Sequence, residues 1–281
     1  MKNKPLIGAA CLLGIMAAIV SCASAAFASK EMTVRRTDFS RTVLMFPDKA
    51  QESPRMDCNF SLLEAIGRPA DMQFINQNLY QGRTPALYAD ALVQNRQAGY
   101  LENRELAAAE APAIEGFNWS YSETMDFSLL KERCMVVKRE TYAYSGGAHG
   151  LGSVRYYVFD LAERRVLTMD DFFREGTDVQ LYDIISAELR RYNDRIAGTS
   201  QAAVLGDDKP LSQGIFSTDT PAITDNFFIT NDGFGLNWAP YEIAPYAAGS
   251  IEITLPWKEI RPLLRHEIME LLEKFGIEMF M

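Results

Sequence analysis

Strand-like and helix-like segments of this chain fall into separate blocks, and this separation constrains the fold more than any other feature. Residues 32–37 and 41–46 are short strand-like runs. Residues 75–106 are mostly helix-like and rich in Ala, Leu, Gln, Asn and Glu, with Pro85 and Gly99 as expected interruptions. Strands dominate the chain after this block, so a regular strand-helix alternation is absent.

The second half of the chain supplies most of the predicted sheet. Apolar, β-branched and aromatic residues predict strands at 117–124, 133–144, 153–161 and 251–255. Apolar residues at three- and four-residue spacings predict a helix over 179–196, and a last helical region is expected at 257–275. Asn231-Asp232-Gly233 predicts a tight hairpin. Strands joined by hairpins, with helices in separate runs, predict an α+β fold: a mainly antiparallel sheet with helices packed on one face.

The first residues have the pattern of an export signal. A short basic start precedes an uncharged apolar run at residues 6–20, shorter than the roughly 20 residues of a membrane span. A lipoprotein-type signal over residues 1–21 makes Cys22 the lipidated first mature residue, whereas the small residues before Ser29 fit cleavage after Ala28. An uncleaved anchor is the third alternative. We therefore expect an exported protein, either a membrane-anchored lipoprotein or a periplasmic or extracellular protein.

The chain is acidic, and its charge narrows the class of partner. It carries 28 Lys and Arg against 37 Asp and Glu, a formal net charge of −9. Removing residues 1–21 takes away Lys2 and Lys4, which leaves 26 basic residues and a net charge of −11. Because phosphates need the opposite sign, nucleic acid is not expected as a partner. An acidic surface attracts cationic proteins, although the same charge also serves solubility alone.

Cys58 and Cys134 are the cysteines that remain once the leader region is set aside. In an exported protein such a pair predicts a disulfide, here joining the N-terminal segment to the later strands. Two buried free thiols are the alternative. The chain has two histidines, His149 and His266, which argues against a metal site built on the cysteines. No metal or cofactor is expected.

Two glycine- and proline-rich segments, together with the residues just before them, contain the candidate ligand-binding residues. Residues 144–150 contain three glycines, which lets the backbone approach a ligand closely. Residues 240–249 contain two prolines, which stiffen a loop that presents aromatic side chains. The candidates are Tyr142, Tyr144, Gly146, Gly147, His149, Trp238, Tyr241, Glu242 and Tyr246. Both segments also fit a structural interpretation, as a hydrogen-bonded turn and as a loop that packs on the sheet.

No motif of a known catalytic chemistry is complete in this sequence. Ser145 lacks the glycine two residues before it that a nucleophile elbow requires. His266 begins a helix motif like that of zinc proteases, but the second histidine is missing. Glycoside chemistry would need a second carboxylate beside Glu242, such as Asp225 or Asp232. The sequence therefore predicts no catalytic residue.

The two segments together resemble the signatures of a domain of unknown function. Gly-Gly-Ala-His at residues 146–149 and Pro-Tyr-Glu-Ile-Ala-Pro-Tyr-Ala-Ala-Gly at residues 240–249 carry the resemblance. The family is shared by the extracellular part of RsiV-type anti-sigma factors, which sense lysozyme, and the N-terminal region of PdaC-type peptidoglycan deacetylases. The resemblance implies a PdaC-like α+β half at residues 30–120 and an RsiV-like α+β half at residues 121–281.

The resemblance implies a partner class rather than a reaction. It transfers no catalytic residue, because the deacetylase activity belongs to a separate zinc domain whose motifs are absent from this sequence. RsiV-type signalling needs a cytoplasmic sigma-binding segment ahead of a membrane span. Only five residues precede Leu6, so an anti-sigma role is not expected. We expect a non-catalytic envelope module that binds a protein, such as a lysozyme-type enzyme, or a peptidoglycan fragment. The alternatives are an enzyme acting on cell-wall glycan through His149 and Glu242, and a structural periplasmic module.

Overall fold

The computed structural model describes residues 16–18, 27–28, 32–109, 114–197 and 203–278. Lipidation at Cys22 and nearly all of the predicted leader lie outside these residues. The strands are β1 Met16–Ala18, β2 Phe27–Ala28, β3 Met32–Leu44, β4 Arg55–Gly67, β5 Trp119–Leu130, β6 Cys134–Tyr144, β7 Leu151–Asp160, β8 Arg165–Val166, β9 Phe227–Ile229, β10 Gly233–Trp238 and β11 Ile251–Pro256. The α-helices are α1 Pro69–Tyr80, α2 Pro85–Leu101, α3 Arg104–Ala109, α4 Met169–Phe172, α5 Asp178–Ala197, α6 Trp257–Ile260 and α7 His266–Lys274. The predicted α+β class is confirmed.

The larger sheet has eight strands in the order β1-β3-β4-β5-β6-β7-β8, with β2 also paired to β3. Adjacent strands of this sheet are antiparallel, except for β4 and β5, which are parallel. A parallel pair needs a long connection, and the segment between β4 and β5 carries α1, α2 and α3. The sheet therefore runs without a break from the N-terminal strands to those of the middle of the chain.

The two faces of the larger sheet are covered by different layers. Because side chains alternate along a strand, Met135 and Val137 of β6 point to one face, and Cys134 and Val136 point to the other. Met135 and Val137 pack with α1 and α2 in one buried cluster. Cys134 and Val136 pack in a second cluster with α5, α7 and the smaller sheet.

The smaller sheet has the order β11-β10-β9 and is antiparallel. Its β9–β10 connection contains Asn231-Asp232-Gly233, where the sequence predicts a tight hairpin, and the Thr230 amide donates to the Gly233 carbonyl. Phe228 of β9 packs on Tyr156 of β7, with ring centroids 4.4 Å apart. This sheet therefore lies against β7, at one end of the larger sheet.

The predicted disulfide does not form. Cys58 and Cys134 are free and buried, and they belong to separate clusters on opposite faces of the sheet. Cys58 pairs with Tyr121 and Cys134 with Leu130, both on β5. The stretch between residues 121 and 130 spans roughly 30 Å at about 3.3 Å per residue, whereas a disulfide joins Cα atoms less than about 7 Å apart. Burial raises the pKa of the Cys58 thiol to about 11, so it stays protonated at neutral pH.

Two strand predictions in the N-terminal half differ from the structure. The runs at residues 32–37 and 41–46 form one strand, β3, because its central polar side chains bond across to β4: Ser61 donates to Asp38 and Ser40 donates to Asn59. The sequence analysis also missed β4. Among the described residues, no helix is long and apolar enough to cross a membrane.

Candidate ligand-binding site

Aromatic side chains from two distant segments meet on the surface beside the β6–β7 turn. The His149 ring stacks on Tyr246, with centroids 4.1 Å apart and planes at 19°. Tyr246 stacks in turn on Tyr241, at 5.5 Å and 30°. Tyr241 is 60% exposed and Tyr142, which lines the same groove as Tyr246, is 43% exposed. We call Tyr142, His149, Tyr241 and Tyr246 the aromatic cluster.

The β6–β7 turn holds its side of the cluster through glycines and backbone carbonyls. Gly146 and Gly147 have φ values of 92° and 88°, which disfavour other residues. Tyr246 Oη donates to the Gly150 carbonyl at 2.7 Å, and this bond ties the loop at residues 240–249 to the turn. A Cβ at Gly150 would lie 2.5 Å from Tyr142 Oη, so glycine is what lets the Tyr142 ring lie flat on the turn.

The loop at residues 240–249 is built as a rigid turn that exposes one aromatic side chain. Glu242 closes its first turn, because Glu242 Oε2 accepts from the Ala239 amide at 2.6 Å. Tyr241 sits at the tip with a φ of 73°, in the left-handed region that residues other than glycine rarely occupy. Such strain at a loop tip is a mark of functional sites.

Buried polar side chains fix this loop relative to the larger sheet. Asn226 Oδ1 accepts from the Tyr156 amide of β7 at 2.8 Å, and Asn226 Nδ2 donates to Val154 O at 2.8 Å. Asn237 of β10 donates to Glu252 Oε2, which also accepts from Tyr156 Oη at 2.8 Å. The loop that follows β10 therefore has a fixed position above β6 and β7.

A groove of about 440 Å³ runs between the loop and the sheet. Its floor comes from β6 and β7 and includes Glu140, Tyr142 and Val154, and its wall includes Pro240 and Tyr246. Glu140 pairs with Lys138 at 2.7 Å, so the floor carries a balanced ion pair at its edge. Two members of the aromatic cluster, Tyr142 and Tyr246, therefore line this groove.

The nine predicted ligand-binding residues do not all belong to one surface. Trp238 is a correction: every residue of β10 is buried, Trp238 is 1% exposed, and its indole N–H donates to Ala222 O. Tyr144 Oη donates to the Gly147 carbonyl and supports the turn. Glu242 caps its own loop, and no hydrogen bond joins its side chain to the cluster among the described residues.

Sequence reasoning missed the residues that position the site. Strand alternation alone places Glu140 on the same face as Tyr142 and Tyr144, and this signal was available. No local pattern marks Asn226 or Asn237, because their partners lie in other strands. The same is true of the ion pair between Arg155 and Asp225, at 2.7 Å, which lowers the pKa of Asp225 through the hydrogen bond from Arg155.

The cluster offers ring faces for stacking and polar groups for hydrogen bonding. Its histidine, His149, contacts the Gly150 carbonyl at 3.0 Å and the Tyr246 ring, and no carboxylate is among its contacts in the part of the chain that the structure describes. General acid-base catalysis needs a titratable group with a partner that tunes or orients it. Across the described ranges, no group of three His, Cys, Asp or Glu side chains is arranged to hold a metal ion.

Comparison with known proteins identifies relatives over part of the chain. The immunogenic protein MPT64 of Mycobacterium tuberculosis and the immunogenic protein MPB64 of Mycobacterium bovis are each 25% identical over 145 residues. The aligned part is 51% of this chain and 58% of each relative, so the chain spans little more than half the length of the curated relatives it matches.

Solved structures share the fold over most of the chain. A DUF3298 protein of Bacteroides fragilis is 20% identical and superposes with a TM-score of 0.71, covering 89% of this chain and 97% of its own. A DUF3298 protein of Pseudomonas aeruginosa is 18% identical with a TM-score of 0.54, covering 84% and 95%. Residues 170–258 match the family model described as a protein of unknown function, DUF3298, and include the loop that carries Tyr241 and Tyr246. Residues 170–258 of this chain are therefore similar to the DUF3298 family, and the solved structures share its fold.

Proposed function

We propose that this chain is an exported protein of the cell envelope, and that the aromatic cluster is a non-catalytic binding site for a protein or a peptidoglycan-related ligand. The observation that carries the proposal is the stack of His149, Tyr246 and Tyr241: Tyr246 lines a groove of about 440 Å³, and Tyr241 is 60% exposed. Exposed aromatic side chains held in place before binding are the usual centre of a binding surface.

Pre-organisation strengthens this interpretation of the cluster. Tyr246 is fixed at both ends, by stacking on His149 and by its hydrogen bond to Gly150. A ligand that binds to fixed rings does not have to order them, so less binding free energy is lost to side-chain entropy. The strained φ of 73° at Tyr241 is consistent with a residue retained for its exposed ring.

The ligand class follows from the resemblance to RsiV-type and PdaC-type proteins, together with the charge. The resemblance points to a lysozyme-type enzyme or to peptidoglycan. A net charge of −11 after removal of residues 1–21 favours a basic protein over an acidic one. The leader pattern supports export, and a lipid on Cys22 would hold the module at a membrane. Because no carboxylate contacts His149 among the described residues, a glycan-cleaving enzyme is not the function we propose.

Removal of the exposed Tyr241 ring, or of the half-buried Tyr246 ring, is expected to abolish most of the binding. Tyr241→Ala and Tyr246→Ala should each weaken capture of lysozyme or of purified peptidoglycan at least tenfold, about 1.4 kcal/mol, since ring truncation at a binding centre costs that much or more. Calorimetry with lysozyme and co-sedimentation with peptidoglycan, at low and physiological salt, give the affinities.

Leu87→Ala is the matched control for these variants. Leu87 is 59% exposed, as Tyr241 is, but it lies on α2, which packs with the other face of the sheet. The control should bind as the unchanged protein does. Equal affinities for the tyrosine variants and the control, or no binding of either ligand to the unchanged protein, would contradict the proposal.

A further inference from the structure

Among the described residues, the face of the larger sheet that carries Tyr142 continues as a polar, partly exposed surface as far as β3. Residues directly opposite each other on neighbouring strands point to the same side of a sheet. The strand registers align a first row across five strands: Ser40, Asn59, Ser122, Tyr142 and Gly152. They align a second row beside it: Asp38, Ser61, Thr124, Glu140 and Val154. We call the surface made by these two rows the open face.

Two depressions lie along the open face, one at each end of the rows. The groove of about 440 Å³ covers the β6–β7 end and includes Tyr142, Glu140, Gly152 and Val154. A second depression of about 260 Å³ covers the β3–β5 end and is lined by Asp38, Ser40, Asn59, Ser61, Ser122 and Thr124, together with Phe39 and Phe60. Strands lie about 4.8 Å apart, so from β3 to β7 the rows span roughly 19 Å. The two depressions lie on neighbouring strands, and we call them together the trough.

The polar side chains of the trough carry hydroxyls, one amide and two carboxylates. The first row contains no ionised group. In the second row, Asp38 accepts from Ser61 at 2.7 Å and Glu140 pairs with Lys138. Ser122 and Thr124, in the middle of the trough, have hydroxyls with no hydrogen-bond partner among the described residues. These hydroxyls and the Asn59 amide each donate and accept, so they are available to a ligand.

We propose that the trough binds a linear, uncharged glycan laid across the strands. Sugar hydroxyls both donate and accept hydrogen bonds, which matches Asn59, Ser122 and Thr124. The apolar face of a sugar ring matches the ring of Tyr142, which is 43% exposed, at the β6–β7 end. Neither depression is lined by a Lys or Arg among the described residues, and a polyanion would meet the Asp38 carboxylate and be repelled. The inference rests on the proposed binding function of the aromatic cluster and names the ligand of that site.

Length dependence of binding tests the trough directly. Calorimetry on the purified protein uses chitohexaose and chitobiose as a long and a short neutral glycan, with an alginate hexamer as the anionic counterpart. The hexaose should bind at least tenfold more tightly than the biose, because only the longer chain spans both depressions. The anionic hexamer should bind at least tenfold more weakly than the hexaose.

Variants test the β3–β5 end of the trough separately from the aromatic cluster. Asn59→Ala combined with Ser122→Ala should weaken the hexaose at least tenfold and leave the biose unchanged, whereas Tyr142→Ala should weaken both. Ser128→Ala is the control, because Ser128 lies on β5 and points to the same side of the sheet, but it lines neither depression.

Each outcome decides between the two proposals. Equal affinities for the two glycans, or a hexaose affinity that the Asn59 and Ser122 changes leave intact, would overturn the trough. If lysozyme binding depends on Tyr241 and Tyr246 while neither glycan binds, the aromatic cluster stands as a protein-binding site and the trough is wrong. If neither lysozyme nor any glycan responds to the tyrosine variants, the proposed function fails as well.

Discussion

Glu123→Ala is expected to destabilise the protein by about 3–5 kcal/mol, because it breaks a buried ion pair and leaves a charge behind. Glu123 is 1% exposed, and its carboxylate lies 3.1 Å from Arg139 Nε. Tyr121 Oη donates to it at 2.8 Å, and Tyr88 Oη donates at 3.1 Å. Burial raises the pKa of both tyrosines, so each keeps the proton that it donates. The variant would leave Arg139 without its carboxylate beneath α2.

Urea unfolding followed by circular dichroism measures this loss. The double variant Glu123→Ala with Arg139→Ala should lose less than the sum of the two single variants, since the charge left unpaired by the first change is removed by the second. If Glu123→Ala lowers the free energy of unfolding by less than about 1 kcal/mol, the range of an exposed pair, Glu123 and Arg139 do not form a stabilising buried ion pair.

Trp238→Ala is expected to cost about 3–5 kcal/mol, the usual range for removing a buried Trp side chain. Trp238 belongs to the buried cluster that contains the smaller sheet, α5 and α7. Its indole N–H donates a hydrogen bond to the Ala222 carbonyl. The lost contacts leave a cavity beneath the loop at residues 240–249. Tyr241→Ala, at an exposed position of that loop, should change the unfolding free energy by no more than about 0.5 kcal/mol.

The pair of variants separates packing from binding. Thermal unfolding should show a large fall in midpoint for Trp238→Ala and little change for Tyr241→Ala, whereas binding should show the greater loss per folded molecule for Tyr241→Ala. Equal thermal effects of the two changes would contradict the assignment of Trp238 to the core.

The parts of the fold that were predicted correctly are those that short, regular sequence patterns indicate. Asn231-Asp232-Gly233 favours a tight hairpin, and β9 and β10 pair across it. The apolar spacing over residues 179–196 matches α5, whose Leu181, Ile185 and Leu189 are buried. Each of these features depends on interactions within a few residues, so the sequence expresses them directly.

The missed strand β4 shows a signal that was present but overlooked. Met56, Cys58, Phe60 and Leu62 alternate with polar residues and are all buried, which is the pattern of a half-covered strand. The disulfide prediction failed for a different reason. Pairing of Cys58 with Cys134 depends on the strand order and register, which no local pattern of the sequence contains.

The candidate site was predictable in its parts but not in its arrangement. Glycine and proline content marked the two segments, yet the stacking of His149 on Tyr246 joins residues far apart in the chain. Trp238 and Tyr241 looked equivalent in sequence, and strand pairing alone separates them: one points into the core from β10 and the other stands at a loop tip. The open face needed the registers of four strand pairs to become visible.

The most direct test of the aromatic cluster as a binding site uses the two histidines of the chain as internal probe and control. His149 stacks on Tyr246 within the cluster, whereas His266 lies on α7 with its side chain 78% exposed. We predict that binding of lysozyme or of soluble peptidoglycan fragments shifts the imidazole NMR signals of His149 and leaves those of His266 in place. Tight binding of either ligand that leaves the His149 signals unmoved would contradict the site.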